Sequence, residues 1–344
     1  MSINYKNSGV NIDSGNEAVS RIKDKVKITF DKNVVTGLGT FGAMYDASHL
    51  LKEYKQPILV QSIDGVGTKL KIAAMVGKFE TIGEDIVNHC CNDILCQGAK
   101  PLTFLDYIAS DKLLPKEIEE MVSGMVKACK EASVSLIGGE TAEMPGVYLS
   151  GEHDIAGCIL GVTEKEKIIT GDKIKEGDVV LGLGSSGLHT NGYSLARKIF
   201  FEVNDYTVDS HFEELHFSLG KELLFPHHNY APSVLPILEK YEIKGIAHIT
   251  GGGLLENVPR VLPGGLSVEI KKHSWEILPI FKLIQKLGQV KEEEMYRVFN
   301  MGIGLVLIVD GGMLNVIKQE LESSGEKVYE IGKVVKGKKN VKLI

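Results

Sequence analysis

The amino-acid sequence predicts an α/β protein of the α+β type, with mixed sheets and two domains. Three features predict it. Short apolar, β-branched runs alternate with segments whose apolar residues recur at three and four. The chain is 344 residues long, about twice the ~150 residues of a common domain. The stretch 164–178 (EKEKIITGDKIKEGD) is charged and short of large apolar residues, as linkers are. The expected division is 1–164, a linker at 165–177, and 178–344.

Residues 1–30 are polar and mixed, with Lys23, Lys25 and Lys27 in a weakly amphipathic run. Residues 56–64 (QPILVQSID) predict a buried strand. A helix is expected over 81–97, where Ile82, Ile86, His89, Cys90, Asp93 and Ile94 share helical spacing. A strand at 102–109 precedes a helix over 115–132 that Pro115 opens, and strands at 134–137 and 154–163 follow. The second half begins with a strand at 179–183, a glycine-rich turn and a helix from Tyr193 to about residue 201. A polar excursion at 204–214 leads to a helical region and the turn Thr250-Gly251-Gly252-Gly253. A strand at 266–270, a helix at 275–287, a strand at 303–309, a helix at 313–323 and a strand near 327–334 close the chain.

Hydrophobic residues make up 43% and charged residues 24%, enough for a large core and too apolar for a disordered chain. Glycine is in excess, at 38 of 344 residues or 11% against a usual ~7%. It has no three-residue period, so collagen is excluded and tight turns or backbone against a ligand are implied. A net charge of −6 gives no bulk basic footprint for nucleic acid. The longest apolar runs fall well short of the ~18 residues of a membrane span. The start lacks a secretory pattern, and five cysteines, two of them adjacent, read as reduced thiols. A soluble, cytoplasmic protein without nucleic-acid or membrane partners is expected.

The most informative string is 64–69 (DGVGTK). Asp64 at a strand end can hold Mg²⁺, and Gly65 and Gly67 let backbone N–H groups approach an oxyanion. Thr68 adds a hydroxyl and Lys69 a point charge. Taken singly, an ordinary tight turn would look the same. Gly138-Gly139-Glu140-Thr141 places Glu140 where a second metal-linked carboxylate could sit, or forms a polar hairpin turn. Residues 185–191 (SSGLHTN) set Ser185, Ser186, His189 and Asn191 before a helix, as an anion site or a helix cap. His248 precedes the TGGG turn. Four glycine-rich polar turns at strand ends fit a nucleotide or phosphosugar cleft better than four unrelated turns.

Other motifs carry less. His89, Cys90, Cys91, Asp93 and Cys96 share one helical segment, where zinc is conceivable and core cysteines are the plainer assignment. G-x-G-x-x-G occurs at 37–42 and 182–187, which makes a dinucleotide fold the runner-up. No Walker-type loop and no G-x-S-x-G elbow occurs.

Together these strings resemble the phosphoribosylformylglycinamidine cyclo-ligase (aminoimidazole ribonucleotide synthetase) family. The likeness runs nearly end to end through YKNSGVNID, GLGTFGA, DGVGTK, CNDIL, GGETAEMPG, SSGLHTNGYSL, ITGGGLLENVPRVLP, EMYRVFNMGIG and GEKVYEIG. Strings like DGVGTK also occur in formylglycinamidine synthetases, selenophosphate synthetases and thiamine-phosphate kinases. GGETAEMPG and SSGLHTNGYSL discriminate better, and nothing carries over at 204–214.

The resemblance implies a homodimer whose N-terminal domains pair their sheets into a barrel-like core. It also implies a C-terminal α/β domain and a cleft between domains for the reactants. The implied reaction closes formylglycinamidine ribonucleotide to aminoimidazole ribonucleotide, using ATP and Mg²⁺ and releasing ADP and phosphate; a role for K⁺ stays open. Asp64 and Asp93 are the expected Mg²⁺ ligands, with Glu140 third or behind them. Lys69 and Lys23 are expected to meet phosphate charge, Lys23 through the RIK string at 21–23. Gly37, Gly39 and Gly42 would fold over the nucleotide. Gly65, Gly67, Thr68, Gly138, Gly139, Thr141, Ser185 and Ser186 complete the expected nucleotide contacts. His189 and Asn191 would orient the formyl group or move a proton, with His248 a weaker candidate. A related small-molecule kinase, a non-catalytic nucleotide-binding module and a dehydrogenase are the alternatives.

Overall fold

A computed structural model describes residues 9–344. The first four residues of YKNSGVNID therefore lie outside the described residues. The chain forms two compact units, one running up to Ile94 and resuming at Pro101–Lys165, the other made of Leu95–Lys100 and Glu166–Ile344.

The first unit contains α1 (Ile12–Lys27), α2 (Leu50–Glu53), β1 (Pro57–Gly65), α3 (Lys69–Val76), α4 (Glu80–Leu95), β2 (Lys100–Ser110), α5 (Pro115–Ala132), β3 (Ser135–Glu143) and β4 (His153–Glu164). Its four-stranded sheet has the order β1-β4-β2-β3 and is mixed: β1 and β4 are antiparallel, β2 and β3 parallel. Side chains alternate between faces along each strand. One face packs on helices, with Phe104 of β2 and Ile86 of α4 both against Gly157 of β4. The other face leaves Leu59, Ile63, Leu105 and Tyr107 exposed. Asn11 caps α1 by accepting from the Asp13 N–H, and Pro115 stands in the first turn of α5, where its missing N–H costs nothing.

α4 and α5 cross at two glycines. A Cβ at Gly83 would strike the Met121 carbonyl, and one at Gly124 would strike the Glu80 carbonyl. Backbone-to-backbone contact of this kind is open only to glycine.

The second unit contains β5 (Val179–Gly184), α6 (Tyr193–Arg197) with a π-helical continuation at Lys198–Val203, α7 (Leu219–Leu223), α8 (Ala231–Lys240), β6 (Gly245–His248), α9 (Gly253–Val261), β7 (Leu266–Ile270), α10 (Pro279–Gly288), α11 (Glu292–Val298), β8 (Ile303–Val309), α12 (Leu314–Ser323), β9 (Val328–Lys336) and β10 (Val341–Leu343). Its six-stranded sheet has the order β10-β7-β9-β5-β8-β6. Every residue of β8 is buried, which is why its sequence is continuously apolar rather than alternating. A buried ion pair, Lys244 to Asp178 at 2.6 Å, anchors the start of this unit.

The architecture is the expected mixed α/β one, and it removes the dinucleotide alternative. β5 pairs antiparallel with both β8 and β9, whereas a dinucleotide fold needs parallel strands around its first turn. Gly182 is a packing glycine, since a Cβ there would meet Ile303 and Ile331. Before 37–42 stands only the isolated bridge Val34↔Tyr45, not a strand. No helix among the described residues is long and apolar enough to cross a membrane.

Candidate functional site

Residues 57–65 form a strand because Ile58, Leu59, Val60 and Ile63 favour the pleated conformation, and Asp64 falls at its end. α4 brings His89 and Asp93 onto one face at i, i+4. The fold joins them to Asp64: His89 Nε2 lies 2.9 Å from Asp64 Oδ2 and 3.7 Å from Asp93 Oδ2. The Ser62 hydroxyl donates to Asp93 at 3.0 Å. Burial lowers the affinity of His89 for a proton, but Asp64 and Asp93 outweigh it and raise its pKa overall. Two partly exposed carboxylates beside one imidazole ring form a hard, oxygen-rich donor pair, the kind of set that suits Mg²⁺.

The neighbouring thiols do not suit zinc. Cys90 and Cys91 are fully buried, and burial pushes both pKa values up, which keeps them protonated.

Lys69 corrects its expected role. It opens α3 but is fully enclosed, with Nζ 2.8 Å from the equally enclosed Asp85 carboxylate. Burial lowers its pKa, partly offset by Asp85. Its charge is held inside the unit and is not offered to a phosphate. The turn before it stays available: Gly67 has φ +64, and Thr68 is partly exposed.

Glu140 also departs from its expected place. It stands on β3, at the sheet edge opposite β1. Three strand spacings of ~4.8 Å separate the two edges by about 14 Å. Within one chain Glu140 therefore does not join Asp64 and Asp93.

What Glu140 does border is a cavity of about 680 Å³ within the first unit. The loop from Gly37 through Gly42 forms one wall, and Gly138, Gly139, Glu140 and Thr141 another. Val19, Ile22 and Val26 of α1 and Val122 of α5 supply apolar lining. Gly39 has φ +101, which a side chain would resist. Lys23 is exposed on α1, where helical spacing sets it beside Val19 and Val26. Asp106, absent from the sequence expectations, also lines this cavity; an acid interrupting the apolar run PLTFLDYIAS was the available signal.

In the second unit, residues 185–191 make a loop whose middle, 187–190, is buried. Ser185 Oγ contacts the Gly187 carbonyl and Asn300 Oδ1 at 3.0 Å, and Ser186 Oγ donates to the Pro226 carbonyl. Both hydroxyls fix the loop. Neither Thr190 nor Asn191 caps the helix, whose N-cap is Gly192.

His189 is fully buried at φ +61, a conformation costly for a non-glycine residue. Gly304 leaves room for it, since a Cβ there would meet the His189 ring and the Tyr230 hydroxyl. His189 Nε2 accepts from the Ser186 N–H at 3.3 Å and the His228 N–H at 3.5 Å. An accepting Nε2 places the proton of the neutral ring on Nδ1.

His227 stacks on His189 with centroids 4.1 Å apart and planes at 24°. Its Nε2 lies 2.9 Å from His248 Nε2, and its Nδ1 lies 3.3 Å from Thr190 Oγ1. One hydrogen must lie between the two Nε2 atoms, so His227 and His248 share a proton. Asn191 closes the group, with Oδ1 3.3 Å from where a Cβ of Gly251 would stand. His189, Asn191 and His248 are thus brought together, and His227, which links two of them, was missed because its partners are distant in sequence.

Two family models match the chain: the C-terminal domain of AIR synthase related protein over 175–343 and the N-terminal domain over 45–163. A phosphoribosylformylglycinamidine cyclo-ligase of Alkaliphilus oremlandii is 48% identical over 341 residues, 99% of each chain. One from Bacillus cytotoxicus is 51% identical over 333 residues, 97% of this chain and 95% of that one. Among solved structures, thiamine-monophosphate kinase from Stenotrophomonas maltophilia superposes with a TM-score of 0.71 at 15% identity, covering 94% and 95% of the two chains. Hydrogenase maturation protein HypE in complex with ATP gives 0.67 at 19% identity, covering 98% and 92%.

Proposed function

The chain belongs to the phosphoribosylformylglycinamidine cyclo-ligase family, and from that premise we infer its reaction and the parts its residues play. It is an ATP-dependent carbon–nitrogen bond-forming ligase of purine biosynthesis, closing formylglycinamidine ribonucleotide to 5-aminoimidazole ribonucleotide with release of ADP and phosphate. The observation that carries this is the end-to-end match to cyclo-ligases, which covers both units rather than a shared nucleotide-binding half.

The formyl oxygen is a poor leaving group. ATP converts it to a phosphate ester, the amidine nitrogen attacks the same carbon, a proton leaves that nitrogen, and phosphate departs. Phosphoryl transfer asks the protein mainly for positioning and charge neutralisation. In the first unit the glycine loop at 37–42 and residues 138–141, which lie within β3 rather than in the expected turn, enclose the nucleotide, with Lys23 at the rim as the nearby cation. Asp64 and Asp93 would hold Mg²⁺, which would neutralise triphosphate charge when bound. Gly67 and Thr68 present backbone and hydroxyl donors beside them, while the Gly65 N–H steadies the Asp64 carboxylate by donating to it at 2.7 Å.

In the second unit, His189 acts as a hydrogen-bond donor toward the formyl group, because its Nε2 is already an acceptor for two backbone N–H groups. The His248–His227 pair, holding one proton between two rings, takes up the proton lost by the amidine nitrogen. Asn191 orients the substrate.

The working species is a homodimer formed through the open face of the first unit's sheet, where Leu59, Ile63, Leu105 and Tyr107 are exposed. Closing two such sheets into one barrel joins an edge of one to an edge of the other. By that route Glu140 of one chain comes near the acids of its partner.

Incubation with ATP, Mg²⁺ and formylglycinamidine ribonucleotide should yield aminoimidazole ribonucleotide and ADP in equal amounts. Asp64→Asn should abolish that product while shifting unfolding stability by no more than ~0.5–1 kcal/mol, as expected for a partly exposed site. Unchanged turnover in Asp64→Asn would remove Asp64 from the mechanism.

A further inference from the structure

We propose that Asp106 reads the exocyclic amine of the nucleotide's base, so that the cavity of the first unit holds the adenine ring rather than the phosphates. This deepens the nucleotide-binding role given above to the same cavity and rests on it.

The position of the carboxyl is set by its strand neighbour. Asp106 of β2 lies opposite Gly139 of β3. A Cβ on Gly139 would stand 2.6 Å from the Asp106 carboxylate atoms, so the carboxyl lies directly over the bare glycine Cα. It points to the helix-covered side of the sheet, toward the apolar lining from α1 and α5. Among the described residues only its own backbone N–H bonds it. Burial raises its pKa to about 7, and no cation works against that rise. A half-buried acid whose one donor is its own backbone N–H, in a cavity of ligand size, calls for a further donor from the ligand.

Charge decides which end of ATP supplies it. The charged residues lining the cavity are Asp106 and Glu140, and neither lysine nor arginine lines it. A triphosphate next to two carboxylates and five valine or isoleucine residues would be repelled and poorly solvated. A purine base is uncharged and flat, and its faces suit Val19, Ile22, Val26 and Val122. Ribose would set hydroxyls and a ring oxygen against those same side chains. The base amine carries two hydrogens, and Asp106 is an acceptor of matching kind.

The test compares kcat/KM for ATP, inosine triphosphate and purine riboside triphosphate in the wild-type enzyme and in Asp106→Asn. Inosine presents a carbonyl where adenine has its amine, and purine riboside presents only a hydrogen. Asp106→Asn should lower kcat/KM for ATP by about ten- to a hundredfold. Its amide can donate to the inosine carbonyl, so the preference for ATP over inosine triphosphate should fall by at least about tenfold. Purine riboside triphosphate should be used equally by both proteins, which also certifies the fold of the variant. Asp106→Leu should lose ATP without gaining inosine triphosphate. An ATP-to-inosine preference unchanged in Asp106→Asn, or an altered preference for ATP over 2′-deoxy-ATP instead, overturns the proposal. Val19→Trp separates the two levels, because it fills the cavity from the exposed side of α1. If Val19→Trp leaves ATP affinity unchanged, the cavity is not the nucleotide site and both fail. If it weakens ATP while Asp106→Asn leaves base preference intact, only the role of Asp106 fails.

Discussion

The ammonium of Lys69 and the carboxylate of Asp85 are both fully enclosed and lie 2.8 Å apart. Enclosed charges are expensive when single and tolerable when paired. Lys69→Met should therefore destabilise the first unit by about 3–5 kcal/mol, because it strands Asp85 without its cation. The double variant Lys69→Met, Asp85→Leu should recover most of that loss, since replacing both partners by apolar groups leaves no buried charge. Urea unfolding of the three proteins measures it. A stable Lys69→Met with weakened ATP binding would return Lys69 to the ligand site. The string DGVGTK shows Lys69 beside glycines but not Asp85, sixteen residues on. Spacing exposed the i, i+4 pair of His89 and Asp93, whereas the arrival of Asp64 on the other side of His89 depended on how β1 packs on α4.

Elements with a single clear period were readable in advance, and those without one were not. β1, β2, β4 and β8 carry β-branched or continuously apolar runs, and α5 carries Pro115 at its start and an apolar stripe down its length. α3 escaped notice because Leu70, Ile72 and Ala73 are buried together without a clean stripe. β6 and β10 have four and three residues, too few to show alternation. The crossing of α4 and α5 was equally hidden, because Gly83 and Gly124 look like weak points in their helices. Propensity alone says that Gly124→Ala should stabilise α5 by ~1 kcal/mol. The structure reverses the sign, since the new methyl would strike the Glu80 carbonyl of α4, which cannot move without shifting the helix. Overpacking of this kind costs about 1–3 kcal/mol. Gly124→Ala should accordingly lower the thermal midpoint, and a rise would mean that the helices do not meet there.

For the molecule as a whole, the uncovered face of the first unit's sheet is the ground for the proposed pairing of two chains. Ile63 is 72% and Leu59 56% exposed on a strand whose other face packs on helices. Leu105 and Tyr107 extend the same uncovered face onto β2. Burying an exposed isoleucine or leucine is worth about 1.5–3 kcal/mol each, so a two-fold contact that counts every residue twice gains enough for a stable pair. A charged side chain at the centre of that contact would have to be desolvated twice. The wild-type protein should sediment at twice the 37.6 kDa chain mass, and Ile63→Lys at the mass of one chain. Under the proposed pairing Ile63→Lys should also lose ring-closing activity, because Glu140 on β3 and Asp64 on β1 sit on opposite edges of one sheet, and in that pairing they would meet across two chains. A wild-type protein that sediments as a single chain and turns over substrate would end this account. An Ile63→Lys monomer with full activity would show instead that Glu140 has no part beside the acids of β1 and α4.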